Sequence, residues 1–304
     1  MKLVVTAALL AGLSVTLLGP VASRLAGARW LERAPRAAVF LWQCVGLGAL
    51  ISGIAAGCAL AGSRYRSGFV GGTRQLIEGL FSAHPLQGLG LYDALGLTLA
   101  ADLVIVLLAV FGVVTMRTVR LRARHRKLLD LVSYKAPEYP GTEFLADQRA
   151  VAYCLPGLRP RIVLSDGTRE LLERDELWAV IHHERGHAHE LHGLVMFPML
   201  GLRNALGWIP YARYAPTSMA LLLEMAADDF SSRRTGRYPL ARALVEMSSA
   251  GWTPTCALGL TGSGVFSRVS RLTSEQPTSR SLAAVAMGLG MGLLFVPMCA
   301  AAVA

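Results

Sequence analysis

The sequence predicts an α-helical membrane protein with four transmembrane helices and an α+β domain inserted between the third and the fourth. Hydrophobic residues make up 53% of the 304 residues and the mean hydropathy is +0.45, both above the usual range of soluble proteins. The apolar residues also gather in long blocks instead of recurring at the spacing of amphipathic helices or strands. A membrane protein is therefore the expected class.

Four apolar blocks are long enough to cross a bilayer as helices. They cover residues 3–22, 37–62, 94–116 and 282–304. Only the third block carries a charge, Asp102, and we expect this carboxylate near the outer headgroups because the uninterrupted apolar stretch follows it. The block behind Lys2 also has the layout of a secretory signal, but its length and the basic loop after it favour a retained span.

Clusters of basic residues predict the orientation of the chain. The densest cluster directly follows the third block, and the loop between the first and second blocks is basic as well. The cluster after the third block comprises Arg117, Arg120, Arg122, Arg124, Arg126 and Lys127. The loop between the first two blocks contains Arg24, Arg29, Arg33 and Arg36. Because basic residues next to a span stay on the cytoplasmic side, we expect a multi-pass protein of the cell membrane whose termini both lie outside the cytoplasm.

The net charge of +10 would favour a nucleic-acid partner in a soluble protein. Here the positive charge is concentrated beside predicted spans, where contact with the headgroups of the lipid bilayer accounts for it. No direct binding of nucleic acid is expected.

The predicted spans divide the chain into a membrane region at residues 1–116, a cytoplasmic domain at 117–280 and a fourth membrane helix at 281–304. Within the domain, residues 149–155 and 161–164 are predicted to form two short strands. Three helices are then predicted, over residues 176–192 after the N-cap Asp175, from about residue 217 to 236, and over residues 238–250. Residues 194–211 are too interrupted for a span, and we expect them to lie against the membrane or to pack in the core.

The stretch His183-Glu184-Arg185-Gly186-His187 lies in the middle of the first of these helices. Two histidines four residues apart leave the same face of a helix, so both imidazoles can bind one metal ion. A glutamate beside them can take a proton from a water molecule at that ion. The HExxH pattern therefore predicts one catalytic Zn²⁺, with His183 and His187 as ligands and Glu184 as the catalytic base.

A third protein ligand is expected, because a catalytic zinc site has three protein ligands and one open position. The pattern HExxHxxGxxH does not apply, since Gly193 stands in the place of its third histidine and Glu190 in the place of its glycine. Glu224 is the better candidate for the ligand. Asp228, one helical turn later, is placed to accept a hydrogen bond from the outer nitrogen of a ligand histidine.

Other polar side chains near the motif receive no role in this predicted site. Asp229 lies about 100° further around its helix than Asp228 and is expected to be solvated or to pair with a neighbouring helix. His182, His189 and His192 leave their predicted helix at angles that differ from the ligand face. Glu190 shares that face, but we expect it in a surface or interdomain contact.

Several motifs together resemble the BlaR/MecR-type membrane zinc metallopeptidases. The shared features are the N-terminal spans, the basic entry into the domain, AYCLPG at 152–157, RIVL at 161–164, the HExxH motif, and EMAADD at 224–229. The resemblance covers most of the chain and is most specific between residues 152 and 244. In that family the catalytic domain lies between the third and fourth spans, where this motif also falls.

The resemblance implies a gluzincin-type α+β fold in which residues 161–164 form the edge strand that pairs with an extended substrate. It also implies signal transduction by cleavage of a cytoplasmic protein substrate, a BlaI/MecI-like transcriptional repressor. The sequence stops at Ala304, so we expect a short form without the C-terminal penicillin-binding sensor domain. A signal would then enter through the loop at residues 63–93, the spans or a partner protein.

Two alternatives stay open. Membrane proteases of the Ste24/HtpX kind, which serve quality control or peptide processing, also resemble this chain through HExxH and the spacing of Glu224 and Asp228. A signalling scaffold with a structural zinc ion is the non-enzymatic alternative. A structural zinc site normally closes its fourth position with another Cys or His, and nothing in the sequence places the nearest candidate, Cys154, at the metal. Zinc endopeptidase activity is therefore the prediction.

Overall fold

The computed structural model describes residues 2–65, 67–81, 90–251, 262–274 and 279–303. Most of these residues are helical. The helices are α1 (Lys2–Thr16), α2 (Ala22–Ala26), α3 (Pro35–Ala61), α4 (Gly68–Leu80), α5 (Leu91–Val132), α6 (Asp166–Leu171), α7 (Arg174–His189), α8 (His192–Leu206), α9 (Pro210–Thr235), α10 (Arg237–Ser249), α11 (Gly262–Thr273) and α12 (Arg280–Val303). The strands are β1 (Ser133–Lys135), β2 (Thr142–Leu145), β3 (Ala152–Leu155) and β4 (Arg161–Ser165).

Four helical stretches are long and apolar enough to cross a membrane, and they coincide with the four predicted blocks. They are Lys2–Ala26, Pro35–Ala61, Leu91–Val132 and Arg280–Ala302. The first combines α1, a π-helical turn over Leu17–Val21, and α2. Asp102 lies on α5 with an exposed side chain, and its depth in a bilayer stays a prediction.

The third of these helices is much longer than its apolar block. We expected a helix over residues 94–116, but α5 extends to Val132 and carries the basic cluster on its last five turns. Arginine, leucine and lysine are all strong helix formers, so the helix has no reason to end where the apolar stretch ends. The segment therefore leads directly into the sheet at Ser133.

The strands form one sheet in the order β1-β2-β4-β3. β4 pairs in parallel with β2 and antiparallel with β3. The predicted edge position of residues 161–164 is therefore wrong, because β4 has a strand on each side. Its side chains Ile162, Val163 and Leu164 are all buried, as expected for an internal strand covered on both faces. The edge strands are β1 and β3.

Helix α7 begins and ends at well-defined signals. The Glu173 backbone N–H donates to Oε2 of Glu176 at 3.0 Å as part of a capping box. The helix ends at His189, three residues earlier than predicted, because the chain reverses at Leu191, whose φ of 54° is left-handed. His192 thus belongs to the next helix, α8. Leu177 and Ile181 pack α7 against Phe144 and Leu164 of the sheet.

Helix α8 covers most of the segment at residues 194–211 that is too interrupted for a span. It packs on the apolar part of α5, where the rings of Phe197 and Phe111 meet edge to face with centroids 5.6 Å apart. A Cβ at Gly201 would lie 2.7 Å from a methyl group of Val114, so the glycine allows this close approach. The expected core packing is confirmed, because Met196 and Met199 of α8 belong to a buried hydrophobic cluster, and contact of the segment with the membrane stays a prediction.

Helix α9 packs against the candidate span α3 and against helix α7. It begins at Pro210 and not near residue 217 as expected, because Pro216 is accommodated inside the helix at the loss of one backbone hydrogen bond. Its first turns pack against α3, where the Tyr211 hydroxyl donates to the carbonyl of Trp42 at 3.1 Å. Its later turns pack on α7 and α10.

The predicted outer loop at residues 63–93 contains the amphipathic helix α4 and the beginning of α5. Residues 66 and 82–89 of this loop lie outside the described residues. The third helix predicted for the domain, over residues 238–250, is confirmed as α10, one residue earlier at each end.

Candidate metal centre

Helices α7 and α9 hold the predicted ligands opposite one another. The hydroxyl of Ser231 on α9 donates to the carbonyl of Ala179 on α7 at 2.7 Å. Gly186 lets the helices approach closely, because a Cβ there would lie 3.1 Å from Cβ of Phe230. The motif's glycine therefore has a packing role between two ligand residues.

Three side chains converge at one buried point between these helices. Nε2 of His183 lies 3.1 Å from Nε2 of His187. Glu224 places Oε2 3.3 Å from Nε2 of His183 and Oε1 3.5 Å from Nε2 of His187. One ligand atom from each residue can be chosen so that all three lie within 4.8 Å of one another. This is the grouping predicted from the sequence, and the three residues form a candidate metal site.

The donor set fits a zinc ion. Two nitrogens bound at about 2.0–2.1 Å to a tetrahedral ion lie about 3.3 Å apart, close to the separation of the two Nε2 atoms. Glu224 is buried together with the two histidines, so the carboxylate offers its oxygens to the same point as the two imidazole nitrogens. Two imidazoles and one carboxylate leave a fourth position open, as in catalytic zinc sites.

Glu184 lies beside this cluster and is 5% exposed. Burial raises the pKa of its carboxyl group to about 7, with Glu224 adding to the rise and His183 opposing it. The backbone N–H of Cys154 on β3 lies close enough to this carboxyl group to oppose the rise of its pKa. The edge strand and the predicted base are therefore adjacent, and Cys154 contributes its backbone here while its thiol stands outside the group of candidate ligands.

Asp228 lies behind His183, as predicted. Its Oδ1 is 3.0 Å from Nδ1 of His183, a hydrogen-bonding distance without the alignment of a full hydrogen bond. Burial lowers the pKa of His183, but the close carboxylates of Asp228 and Glu224 outweigh this and raise it to about 9. Burial lowers the pKa of His187 to about 3, so this ring is neutral, the form in which histidine binds metals.

Arg268 on α11 is an unpredicted member of the site. Its side chain is 1% exposed, and Nε and NH2 donate to the two oxygens of Asp228 at 2.8 and 2.7 Å. NH1 lies 2.9 Å from Oε2 of Glu224. Burial raises the pKa of Glu224, yet Arg268 and the two histidines bring it down to about 2. The guanidinium thus keeps two buried carboxylates charged.

The residues left without a role follow the predictions with one exception. His182 stacks on Trp178 and His189 on Phe230, away from the cluster. Asp229 pairs with Arg271 of α11 at 2.8 Å. His192 is the exception, since its Nδ1 lies 2.9 Å from Nδ1 of His187.

The prediction that His192 points away from the ligand face is wrong for a geometric reason. A continuous helix through residue 192 would turn this side chain away from His187, whereas the reversal at Leu191 brings it back. Glu190 makes the interdomain contact that we expected, with Arg36 at the start of α3.

Comparison with known proteins gives one match. A family model described as Peptidase family M48 matches residues 115–268. No curated protein and no solved structure matched the chain. The match supports a metallopeptidase but not the narrower BlaR/MecR type. Because it spans half of the chain and includes His183, Glu184, His187, Glu224 and Asp228, the chain belongs to peptidase family M48.

Proposed function

We propose that this protein is a membrane-embedded zinc endopeptidase that hydrolyses peptide bonds of a cytoplasmic protein. The observation that carries the proposal is the convergence of His183, His187 and Glu224 around one buried point, with Glu184 beside it. Four apolar helices that are candidates for membrane spans surround the peptidase region in sequence. Membership of peptidase family M48 supports the class of reaction.

His183, His187 and Glu224 would hold the zinc ion, and a zinc ion in such a site supplies Lewis acidity to the scissile carbonyl group and to water. Glu184 accepts a proton from the attacking water as the new C–O bond forms at the carbonyl carbon. The same carboxyl group then gives this proton to the leaving nitrogen as the C–N bond breaks. Burial raises the pKa of this carboxyl group in the metal-free site and a bound cation would lower it, so the group can accept a proton and return it near neutral pH.

The arrangement of the sheet supports β3 as the strand that binds an extended substrate. Within the part of the chain that the structure describes, β3 pairs with β4 alone, and an edge strand offers unpaired backbone groups to a peptide. The backbone N–H of its residue Cys154 lies close enough to Glu184 to affect the pKa of that carboxyl group. A substrate paired with β3 would therefore run past the base, which β4 in its internal position cannot achieve.

The substrate class proposed here is a cytoplasmic transcriptional repressor of the BlaI/MecI kind, and the process is signal transduction. This part of the proposal is supported by the resemblance of the motifs at residues 152–157, 161–164 and 224–229 and by the basic residues that favour a cytoplasmic domain. The sensing step is assigned to the loop at residues 63–93, the spans or a partner.

The test compares cells that carry the wild type, Glu184→Gln or Glu246→Gln. Glu184→Gln removes the base with little change of shape, while Glu246 is an exposed glutamate on α10 and serves as the matched control. New protein N-termini are mapped by mass spectrometry under a condition that triggers signalling, and transcripts are measured in parallel. We expect the wild type and Glu246→Gln to generate shared cytoplasmic cleavage products that are missing with Glu184→Gln.

Each outcome bears on the proposal. Products derived from a DNA-binding repressor would support it in full, whereas products derived mainly from membrane proteins would favour a role in quality control or peptide processing. Identical cleavage products and identical transcripts with wild type and Glu184→Gln would refute the peptidase and favour the signalling scaffold.

A further inference from the structure

A chain of polar side chains leads from His187 to the first turn of α3. Nδ1 of His187 lies 2.9 Å from Nδ1 of His192, and Nε2 of His192 lies 3.4 Å from Oε2 of Glu190. Arg36 donates through Nε and NH2 to both oxygens of Glu190, with distances of 2.9 and 2.5 Å. His192 is 2% exposed, so its ring contacts are shielded from solvent.

The metal site would fix the direction of these hydrogen bonds. Nε2 of His187 faces the ligand cluster, so a neutral His187 that binds a metal through Nε2 carries its proton on Nδ1. This N–H can then donate only to an unprotonated Nδ1 of His192. A neutral His192 therefore carries its own proton on Nε2, where it faces the carboxylate of Glu190. Every group in the chain has a partner in this one arrangement of protons.

Arg36 also connects this series of hydrogen-bonded side chains to α9, the helix that carries Glu224. Besides its contact with Glu190, its NH2 donates to the carbonyl of Ala226 at 2.9 Å, two residues after Glu224. Its NH1 lies 3.5 Å from Oδ2 of Asp229. One side chain at the beginning of a candidate membrane span thus contacts both the end of α7 and the middle of α9.

We propose that His192 and Glu190 are positioning residues for the metal ligand His187, and that Arg36 ties them to the second candidate membrane helix. This inference rests on the proposed zinc site and adds the route by which the membrane region acts on it. Hydrogen bonds behind a ligand histidine fix its ring orientation and raise its basicity, and their loss typically lowers metal affinity by about 10–100-fold. A movement of α3 that carries Arg36 away from Glu190 would release the ring of His187.

The experiment measures zinc affinity of the purified full chain in detergent by competition with a chromophoric chelator. His192→Phe retains a ring without nitrogen, and His192→Gln retains both a donor and an acceptor. We expect His192→Phe to bind zinc about 10–100-fold more weakly than the wild type, with His192→Gln between the two. Absorption spectra of the cobalt-substituted proteins should change with His192→Phe, because the orientation of a ligand changes.

Arg36→Gln tests the connection to α3. We expect weaker zinc binding than in the wild type, and an effect that is not additive with that of His192→Phe, because residues in one hydrogen-bond network are coupled. Arg33→Gln, an exposed arginine in the same basic loop, and His189→Phe, whose ring packs on Phe230, are the matched controls. Both should bind zinc like the wild type.

The results separate this inference from the proposed activity. A folded His192→Phe protein with wild-type zinc affinity and an unchanged cobalt spectrum would overturn it, even if Glu184→Gln abolishes cleavage. Weaker zinc binding by His192→Phe and Arg36→Gln would support it even if no cleavage is found in cells. A wild-type chain that binds no zinc would refute the inference together with the metal site.

Discussion

Glu224 and Asp228 lie one turn apart on α9 and occupy different positions around His183. Glu224 faces Nε2 of His183 at 3.3 Å, whereas Asp228 faces Nδ1 at 3.0 Å. A histidine that binds a metal through Nε2 presents its other N–H on Nδ1. The two carboxylates therefore divide into a metal ligand and a group that orients a ligand, as the four-residue spacing predicts.

This division of roles predicts different effects on zinc binding. Glu224→Ala should abolish zinc retention, while Asp228→Asn should weaken zinc binding by about 10–100-fold. Asp175→Asn, at an exposed aspartate in the first turn of α7, is the control and should retain zinc. The measurement is metal content after dialysis together with chelator competition. Full zinc content in Glu224→Ala would show that another carboxylate supplies the third ligand.

Arg268 offers a second prediction at the scale of single residues. It is buried between Glu224 and Asp228, and removing one partner of a buried ion pair costs about 3–5 kcal/mol. We expect Arg268→Met to lower the free energy of unfolding by this amount in metal-free protein. Arg233→Met, at an exposed arginine of α9, should change it by less than about 0.5 kcal/mol.

Thermal unfolding in one detergent measures both effects. Equal melting temperatures for Arg268→Met and Arg233→Met would contradict the stabilising role of the buried guanidinium. Bound zinc should reduce the difference in melting temperature between Arg268→Met and the wild type, because a cation at the ligands replaces part of the lost positive charge.

The residues that sequence analysis could and could not identify differ in how far apart they lie along the chain. His183, Glu184 and His187 are placed by helix periodicity alone, and the structure brings them to Glu224 as expected. Arg268 lies 40 residues beyond Asp228 on a separate helix, and no local pattern distinguishes it from a surface arginine. Long-range pairs of this kind depend on tertiary packing, which the sequence pattern does not record.

At the scale of elements, the length of an apolar segment decides whether the sequence predicts the helix or strand that it forms. The four long blocks were identified because hydropathy over about 20 residues is a strong signal. β1 and β2 have only three and four residues and carry no clear alternation, so they were not predicted. Because β2 was missing, residues 161–164 were assigned to the sheet edge, although β2 covers that side of β4.

Packing between α3 and α5 depends on two glycines that face each other. A Cβ at Gly57 would lie 2.7 Å from the carbonyl oxygen of Gly96, and a Cβ at Gly96 would lie 2.5 Å from the backbone nitrogen of Ala61. The small-residue spacing of Gly53 and Gly57 predicts such close helix packing. The backbones of the two helices therefore touch where a methyl group has no room.

We predict opposite effects for alanine at two glycines of α5. Gly96→Ala should destabilise the protein by about 1–3 kcal/mol, because the added methyl group forces α3 and α5 apart. Gly112→Ala should be neutral or stabilising by up to about 1 kcal/mol, since no atom of the described residues lies within 4 Å of a Cβ there and alanine favours helix. Melting temperatures measured in one detergent test this prediction. Equal stability of the Gly96→Ala and Gly112→Ala proteins would contradict the close packing of α3 and α5.

For the whole molecule, α3 is the central element. In its most apolar window 56% of the residues are buried inside the protein, compared with 17%, 0% and 17% for the other three candidate spans. It packs against α1, α5, α9 and α12. Because α9 carries Glu224 and packs on α3 with its first turns, residues of α9 and of the candidate span α3 belong to one hydrophobic core. The helix that carries a candidate metal ligand is therefore in direct contact with a candidate span.

The structure also places both basic groups on the side of the peptidase region. Arg36, in the first turn of α3, pairs with Glu190 at 2.5 Å. Arg126, in the basic part of α5 that follows its apolar block, donates to the carbonyls of Pro156 and Arg159 at 3.2 and 2.9 Å. Since positive residues beside spans stay in the cytoplasm, we predict that the peptidase region is cytoplasmic and that four spans, an even number, leave both termini outside.

Fusions to a reporter that is active only outside the cytoplasm test this orientation. Fusions after residues 62 and 303 should be active, and a fusion after residue 127 should be inactive. Activity after residue 127, or its absence after residue 303, would reverse the orientation or change the number of spans.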